Sequence, residues 1–269
     1  MKKVLLPTDF SENAFHGISY GIQLLKSIPC EFYLLHTFYT TDTIGVLISV
    51  LDILEKEAKQ VLQQEADKIS ATFPELDLTI HCVTQLGSLN VAVKEFIQQE
   101  DIDLVVMGTE GTSGIDEVFW GSHTSRLIRE INCPILAVPN HYPFTPPKEV
   151  LIALDYEMEQ KMNGQFTPLQ EIMASYQPEF TFLNVLSPED VYQATDLHPS
   201  WIKKYANSTK VIEYSEDVVK SIEKYISRWS TDMLVMVAHD YNFYEKLFHR
   251  SHTKKVVEET SVPVLVLHN

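Results

Sequence analysis

Residues 104–126 read LVVMGTEGTSGIDEVFWGSHTSR: an apolar run, a loop punctuated by glycine, then a segment with helical spacing. Leu104-Val105-Val106-Met107 has the unbroken apolar character of a strand buried on both faces of a parallel sheet. After Ser122, the residues Leu127, Ile128 and Ile131 share one helical face. Between them stands the spacing Gly108-x2-Gly111-x9-Gly121-Ser122. Glycines at a strand-to-helix junction let backbone N–H groups close around an anion, and the helix start adds unpaired amides and the positive end of its dipole. The stretch therefore predicts an α/β fold with a phosphate cradle at the end of a strand. Two commoner cradles are excluded, since the chain contains neither G-x4-G-K-[ST] nor G-x-G-x-x-G.

Working outward, the same pattern of short apolar runs and helical segments recurs. Strands are predicted near 2–7, 31–37, 78–84, 103–107 and 134–138, and helices near 12–27, 46–72, 89–99 and 122–131. Ser11 is placed to cap the first helix, whose buried stripe reads Phe15, Ile18, Ile22 and Leu25. Further strands are predicted near 149–154, 180–186, 209–214, 232–237 and 263–267. The halves echo each other in order. Val4–Asp9 matches Val150–Asp155, Glu31–Thr37 matches Glu179–Val185, and Asp103–Met107 matches Asp232–Met236. Ser122-His-Thr124 matches Ser251-His-Thr253, and Cys133–Val138 matches Val262–Leu267. Five matches in one order mark a duplication. The proline-rich Asn140–Pro147 links the copies.

Composition narrows the function classes. The 269 residues carry a formal charge of −16, and neither half is basic, which excludes a nucleic-acid partner. No apolar run approaches the ~20 residues of a membrane span, and the short run of MKKVLLPTDF ends in Pro-Thr-Asp as a strand does, not a leader. Cys30, Cys82 and Cys133 are few and odd in number, as expected of reduced thiols in the cytoplasm.

The loop spacing resembles that of the ATP-binding members of the universal stress protein family, which carry G-x2-G-x9-G-[ST]; every constrained position is filled here. The resemblance covers the chain as a tandem pair, 1–141 and 147–269. It implies two Rossmann-like domains of the adenine nucleotide alpha-hydrolase type, each a five-stranded parallel sheet ordered 3-2-1-4-5 and flanked by helices. Nucleotide would lie at the carboxyl ends of strands 1 and 4. The family pattern implies an internal pseudo-dimer of the two halves, with a homodimer of chains left open.

The resemblance assigns Pro7, Thr8 and Asp9 at the end of the first strand to the nucleotide, with Asp9 on its adenosine part. Thr37 would offer its backbone to adenine, and Met107, Gly108, Gly111, Gly121, Ser122, His123 and Thr124 would surround the phosphates. Each has a plainer alternative. Asp9 could cap the next helix at residues 12 and 13, the glycines could serve turns alone, and Ser122 would cap its helix in either case. His123, where the family has a small apolar residue, either donates to phosphate or covers the site. Asp116-Glu117 reads as a solvated loop face, so Mg2+ would come with ATP, held largely by its phosphates. No Lys or Arg lies between Gly108 and Arg126, where family loops often hold one.

In the second copy Val237, Asp240 and Arg250 stand where Gly108, Gly111 and Gly121 do, so only the first half is expected to bind ATP. His239, Asp240, His249 and His252 invite a metal reading, but a polar replacement of the lost loop is preferred. A cradle without a clear base or arginine finger implies a nucleotide-dependent regulator or sensor of the stress response, not a turnover enzyme. The alternatives are weak hydrolysis or self-phosphorylation at Ser122, Thr124 or Thr109, and a nucleotide-independent scaffold or small-ligand binder that uses the second half. The Ser-Gly-Gly and His-x-Gly-His elements of enzymes sharing this architecture are absent. An unidentified protein partner is expected for either regulatory role.

Overall fold

Parallel pairing dictated by the apolar runs organises the molecule. The computed structural model describes residues 1–39, 48–109, 122–154, 166–186, 208–238 and 261–268. The chain forms two compact units that change over between His141 and Tyr142.

In the first unit the order along the chain is β1 (Lys2–Pro7), α1 (Glu12–Leu25), β2 (Cys30–Phe38), α2 (Ile48–Thr72) and β3 (Thr79–Leu86). It continues as α3 (Leu89–Glu100), β4 (Leu104–Gly108), α4 (Ser122–Glu130) and β5 (Ile135–Val138). Every pairing is parallel, and the strands lie in the order β3-β2-β1-β4-β5. The central β1 and β4 are buried because helices cover both faces, which is why their sequences are apolar without alternation. The edge strand β3 has no fully buried residue.

The second unit repeats the order. It contains β6 (Glu149–Leu154), α5 (Thr167–Met173), β7 (Glu179–Leu186), β8 (Ser208–Tyr214), α6 (Val218–Arg228), β9 (Met233–Ala238) and β10 (Val264–His268). Parallel pairings β6–β7, β7–β8, β6–β9 and β9–β10 give β8-β7-β6-β9-β10.

The same device anchors the central strand in each unit. Asp103 accepts from the Lys3 N–H at 2.8 Å, and Asp232 accepts from the N–H groups of Lys148 and Glu149 at 2.7 and 3.0 Å. Each carboxylate thereby ties the strand before the switch point to the strand after it.

Local signals explain the helices. Ser11 caps α1 by accepting from the Ala14 N–H at 3.1 Å. Leu127, Ile128 and Ile131 are buried beneath α4 as their spacing requires. The stripe of α1 differs from expectation, because Phe15 is only half-buried and lies under the Lys68 ammonium, 3.8 Å from its ring centroid. The sheet-facing side is instead Ala14, Gly17, Ile18, Gly21, Ile22 and Leu25. Small residues occupy it because α1 lies almost against β4. A Cβ on Gly17 would stand 2.7 Å from the Gly108 nitrogen, and one on Gly21 would stand 2.6 Å from a Val106 methyl.

Candidate nucleotide site

The strand order of the first unit reverses between β1 and β4, so a crevice opens outside their carboxyl ends, where ligands of open α/β sheets bind. The sequence-predicted residues Pro7, Thr8, Asp9, Met107, Gly108, His123 and Thr124 come from β1, β4 and the start of α4. Gly111, Gly121 and the pair Asp116-Glu117 lie outside the described residues, as do Asp155, Asp240, Arg250 and the histidines at 239, 249 and 252.

The turn after β1 is knitted by side chains. Pro7 is buried, and the Thr8 N–H donates to the Leu35 carbonyl at 2.9 Å, continuing the ladder with β2. The Thr8 hydroxyl accepts from the Phe10 N–H at 3.0 Å, and Asp9 accepts from the Ser11 N–H at 3.0 Å. Asp9 is exposed and folds its carboxylate onto Ser11, leaving the capping of α1 to Ser11 itself. Phe10 adopts φ 66°, a left-handed conformation uncommon for a bulky residue. Its ring rests on the His36 ring with centroids 4.2 Å apart. His36 Nδ1 lies 2.9 Å from the Thr8 carbonyl oxygen; a carbonyl only accepts, so Nδ1 carries the proton.

His36 and Phe10 thus brace the Thr8–Asp9 turn, a role the sequence reading missed. Its repeat partner Asn184 makes the same bond, donating from Nδ2 to the Leu154 carbonyl at 3.2 Å. Thr37 follows on β2, opposite Gln85 of β3.

At the end of β4, Gly108 is required by α1. A Cβ there would meet the Asn13 carbonyl oxygen at 2.7 Å, so the absent side chain makes room for the helix. The Thr124 hydroxyl, buried on the first turn of α4, donates to the Gly108 carbonyl at 3.3 Å and ties that helix to the strand end. Ser122 is the first residue of α4 rather than the cap preceding it. Thr109 is 2% exposed, its N–H donates to Val138 at 3.0 Å, and its hydroxyl has no hydrogen-bond partner among the described residues.

The start of α3 is joined to the start of α4 by a side-chain bond. His123 Nδ1 lies 2.7 Å from Asn90 Oδ1. Arg126, the cation nearest in sequence to the start of α4, is turned instead to Glu130 at 2.7 Å. This arrangement offers neutral donors around a helix start. Among the described residues no group of three or more His, Cys, Asp or Glu side chains could hold a metal ion, and no helix is long and apolar enough to cross a membrane.

Comparison with known proteins bears on the family and the fold. The model of the universal stress protein family matches residues 1–139 and 175–268. A universal stress protein of Methanocaldococcus jannaschii is 28% identical over 144 residues, covering 51% of this chain and 81% of its own. Another from the same organism is 26% identical over 153 residues, covering 51% of this chain and 94% of its own. Among solved structures, a universal stress protein from Archaeoglobus fulgidus aligns with a TM-score of 0.76 over 98% of this chain and 97% of its own. At 19% identity that likeness is one of fold. With the family matched across both units and the same parallel strand order in each, the chain belongs to the universal stress protein family as a tandem member.

Proposed function

We propose that the first unit binds one adenine nucleotide, ATP accompanied by Mg2+, and that the protein is a nucleotide-dependent regulator of a stress response. The observation that carries the reading is the Thr109 hydroxyl. Buried polar groups are almost always paired, yet this one has no partner among the described residues where β4 ends and the glycine-spaced loop begins. A phosphate oxygen at the start of α4 would satisfy it. The turn at Thr8 and Asp9 borders the same crevice, and the glycine spacing of 108–121 supplies the loop.

In the second unit Val237 is buried at the position matching Gly108, which favours a single site per chain. The reading is of a binding module, for the Thr124 hydroxyl is already engaged by Gly108 and ill placed as a phosphate acceptor. The free thiols Cys30, Cys82 and Cys133 fit a reducing compartment such as the cytoplasm. A second reading, a small ligand in the second unit, has Asn184 in its favour: the residue is fully buried and its Oδ1 lacks a partner among the described residues.

Calorimetric titration of the full chain with Mg-ATP tests the proposal, with mass spectrometry of the purified protein for copurified nucleotide. Binding of one ATP per chain, weakened about tenfold in Asp9→Ala (~1.4 kcal/mol), is expected. Absence of both binding and copurified nucleotide would refute it, and two equivalents would refute the single-site reading.

A further inference from the structure

Asn90 is the second residue of α3, far in sequence from the glycine loop, and nothing in its local pattern marks it as functional. It is 4% exposed. Its Oδ1 receives the Nδ1–H of His123, on the first turn of α4, at 2.7 Å. That bond sets the amide orientation, so the Nδ2 group faces elsewhere. Nδ2 is buried and has no hydrogen-bond partner among the described residues. An amide nitrogen buried without an acceptor costs free energy that a bound oxygen acceptor would recover.

Two buried groups without a partner among the described residues therefore stand on the elements that lead to α4: the Thr109 hydroxyl just after β4, and the amide of Asn90 on α3, whose Oδ1 holds His123 of the first turn of α4. The helix start adds unpaired N–H groups and positive potential. All these favour an oxygen anion. Sequence supplies no Lys or Arg from Gly108 to Ser125, and Arg126 is committed to Glu130.

We infer that Asn90 is a nucleotide-binding residue that donates from Nδ2 to the phosphates, and that His123 is the positioning residue that aims it. The inference rests on the nucleotide reading above. It gives His123 a definite task in place of donating to phosphate itself or covering the site.

The test compares ATP with adenosine, which lacks phosphate, by calorimetry on the wild-type chain and on Asn90→Ala, Asn90→Asp and His123→Ala. Asn90→Ala should weaken ATP by about ten- to a hundredfold, as loss of one hydrogen bond to a charged acceptor does, and leave adenosine unchanged. Asn90→Asp should weaken ATP more than Asn90→Ala, because a carboxylate repels phosphate. His123→Ala should weaken ATP by less than Asn90→Ala, and His123→Gln, which keeps an N–H donor, should recover part of the loss. A merely structural role would lower both affinities together, and that result overturns the inference. An unchanged ATP-to-adenosine ratio in Asn90→Ala also overturns it while leaving the nucleotide reading intact. Failure of the wild-type chain to bind ATP refutes the nucleotide reading and this inference with it.

Discussion

Replacing Gly17 by alanine tests the packing on which the site is built. In an ordinary helix interior the change stabilises by about 1 kcal/mol, because glycine costs more backbone entropy. Here the new Cβ would stand 2.7 Å from the Gly108 nitrogen and 3.0 Å from its Cα, where ordinary contact begins near 3.4 Å. The helix must therefore withdraw by about 0.7 Å, since both partners are backbone and no rotamer change relieves them. Withdrawal loosens the buried Ile18 and Ile22 and shifts Asn13 from the strand end. Overpacking of this kind costs about 1–3 kcal/mol. With the immovable partner the upper half applies, so a net loss of about 1–2 kcal/mol remains after the propensity gain. The full chain would then melt roughly 2–8 °C lower.

The assay is thermal unfolding followed by circular dichroism, with hydrogen exchange of α1 peptides to locate the change. Two units need not unfold together, so the exchange readout decides which has weakened. Gly21→Ala provides the contrast, because its Cβ meets a side chain, the Val106 methyl at 2.6 Å. Its cost should fall when Val106→Ala is added, a non-additivity expected of touching residues. A Gly17→Ala chain as stable as wild type, with unchanged exchange in α1, would refute the reasoning. The same geometry shows why Gly108→Val is a poor probe of nucleotide binding: it breaks the contact with α1 before it touches a ligand.

Other expectations follow from particular groups. Burial pushes the Cys133 thiol up to about 12 and that of Cys30 to about 11, with Cys82 raised less, so labelling by a disulfide reagent at pH 8 should be slow and begin at Cys82; rapid labelling of Cys133 in the folded chain would contradict this. Asp232→Ala strips the acceptor from two backbone N–H groups and should destabilise by about 1–3 kcal/mol in urea unfolding, more than Asp103→Ala, whose carboxylate serves one backbone N–H and the partly exposed Lys2 ammonium. Hydrogen bonds from Lys224 and Tyr225 hold the Glu213 carboxyl below its usual range. A depressed folded value means its stabilisation is present above the unfolded value and lost as pH falls through the folded one. The stability gap between wild type and Glu213→Gln should therefore be largest near neutrality and close on acidification below the ordinary carboxylate range; a gap that persists in strong acid would show that the hydrogen bonds do not favour the charged form.

Much of this architecture was legible in the chain. The strands and helices fall where periodicity put them, and the echoed segments foretold one strand order in both units, because a period is a property of neighbours along the chain. Phe15 was misplaced for a reason in the same class: its spacing suits the buried stripe, but only the partner of α1 decides whether a large or a vanishing side chain fits there. Of the candidate site, Thr8, Asp9, Gly108 and the start of α4 were visible as a motif at strand ends. Asn90 and the bracing of His36 onto Thr8 were not, for their partners lie 33 and 28 residues away.

The sequence by itself determined the elements, their duplication and the parallel class. These rest on hydrophobic period and on glycine, proline and capping residues, which act within a few positions of themselves. Tertiary structure alone decided what each glycine makes room for, which polar atoms find partners, and which remain unpaired. Gly108 looks like a loop glycine in the chain and is a packing glycine in the fold, because close approach depends on α1, folded back from a distant part of the sequence. Thr109 and Asn90 matter for the converse reason: burial removed water from their polar atoms, and no described neighbour took its place.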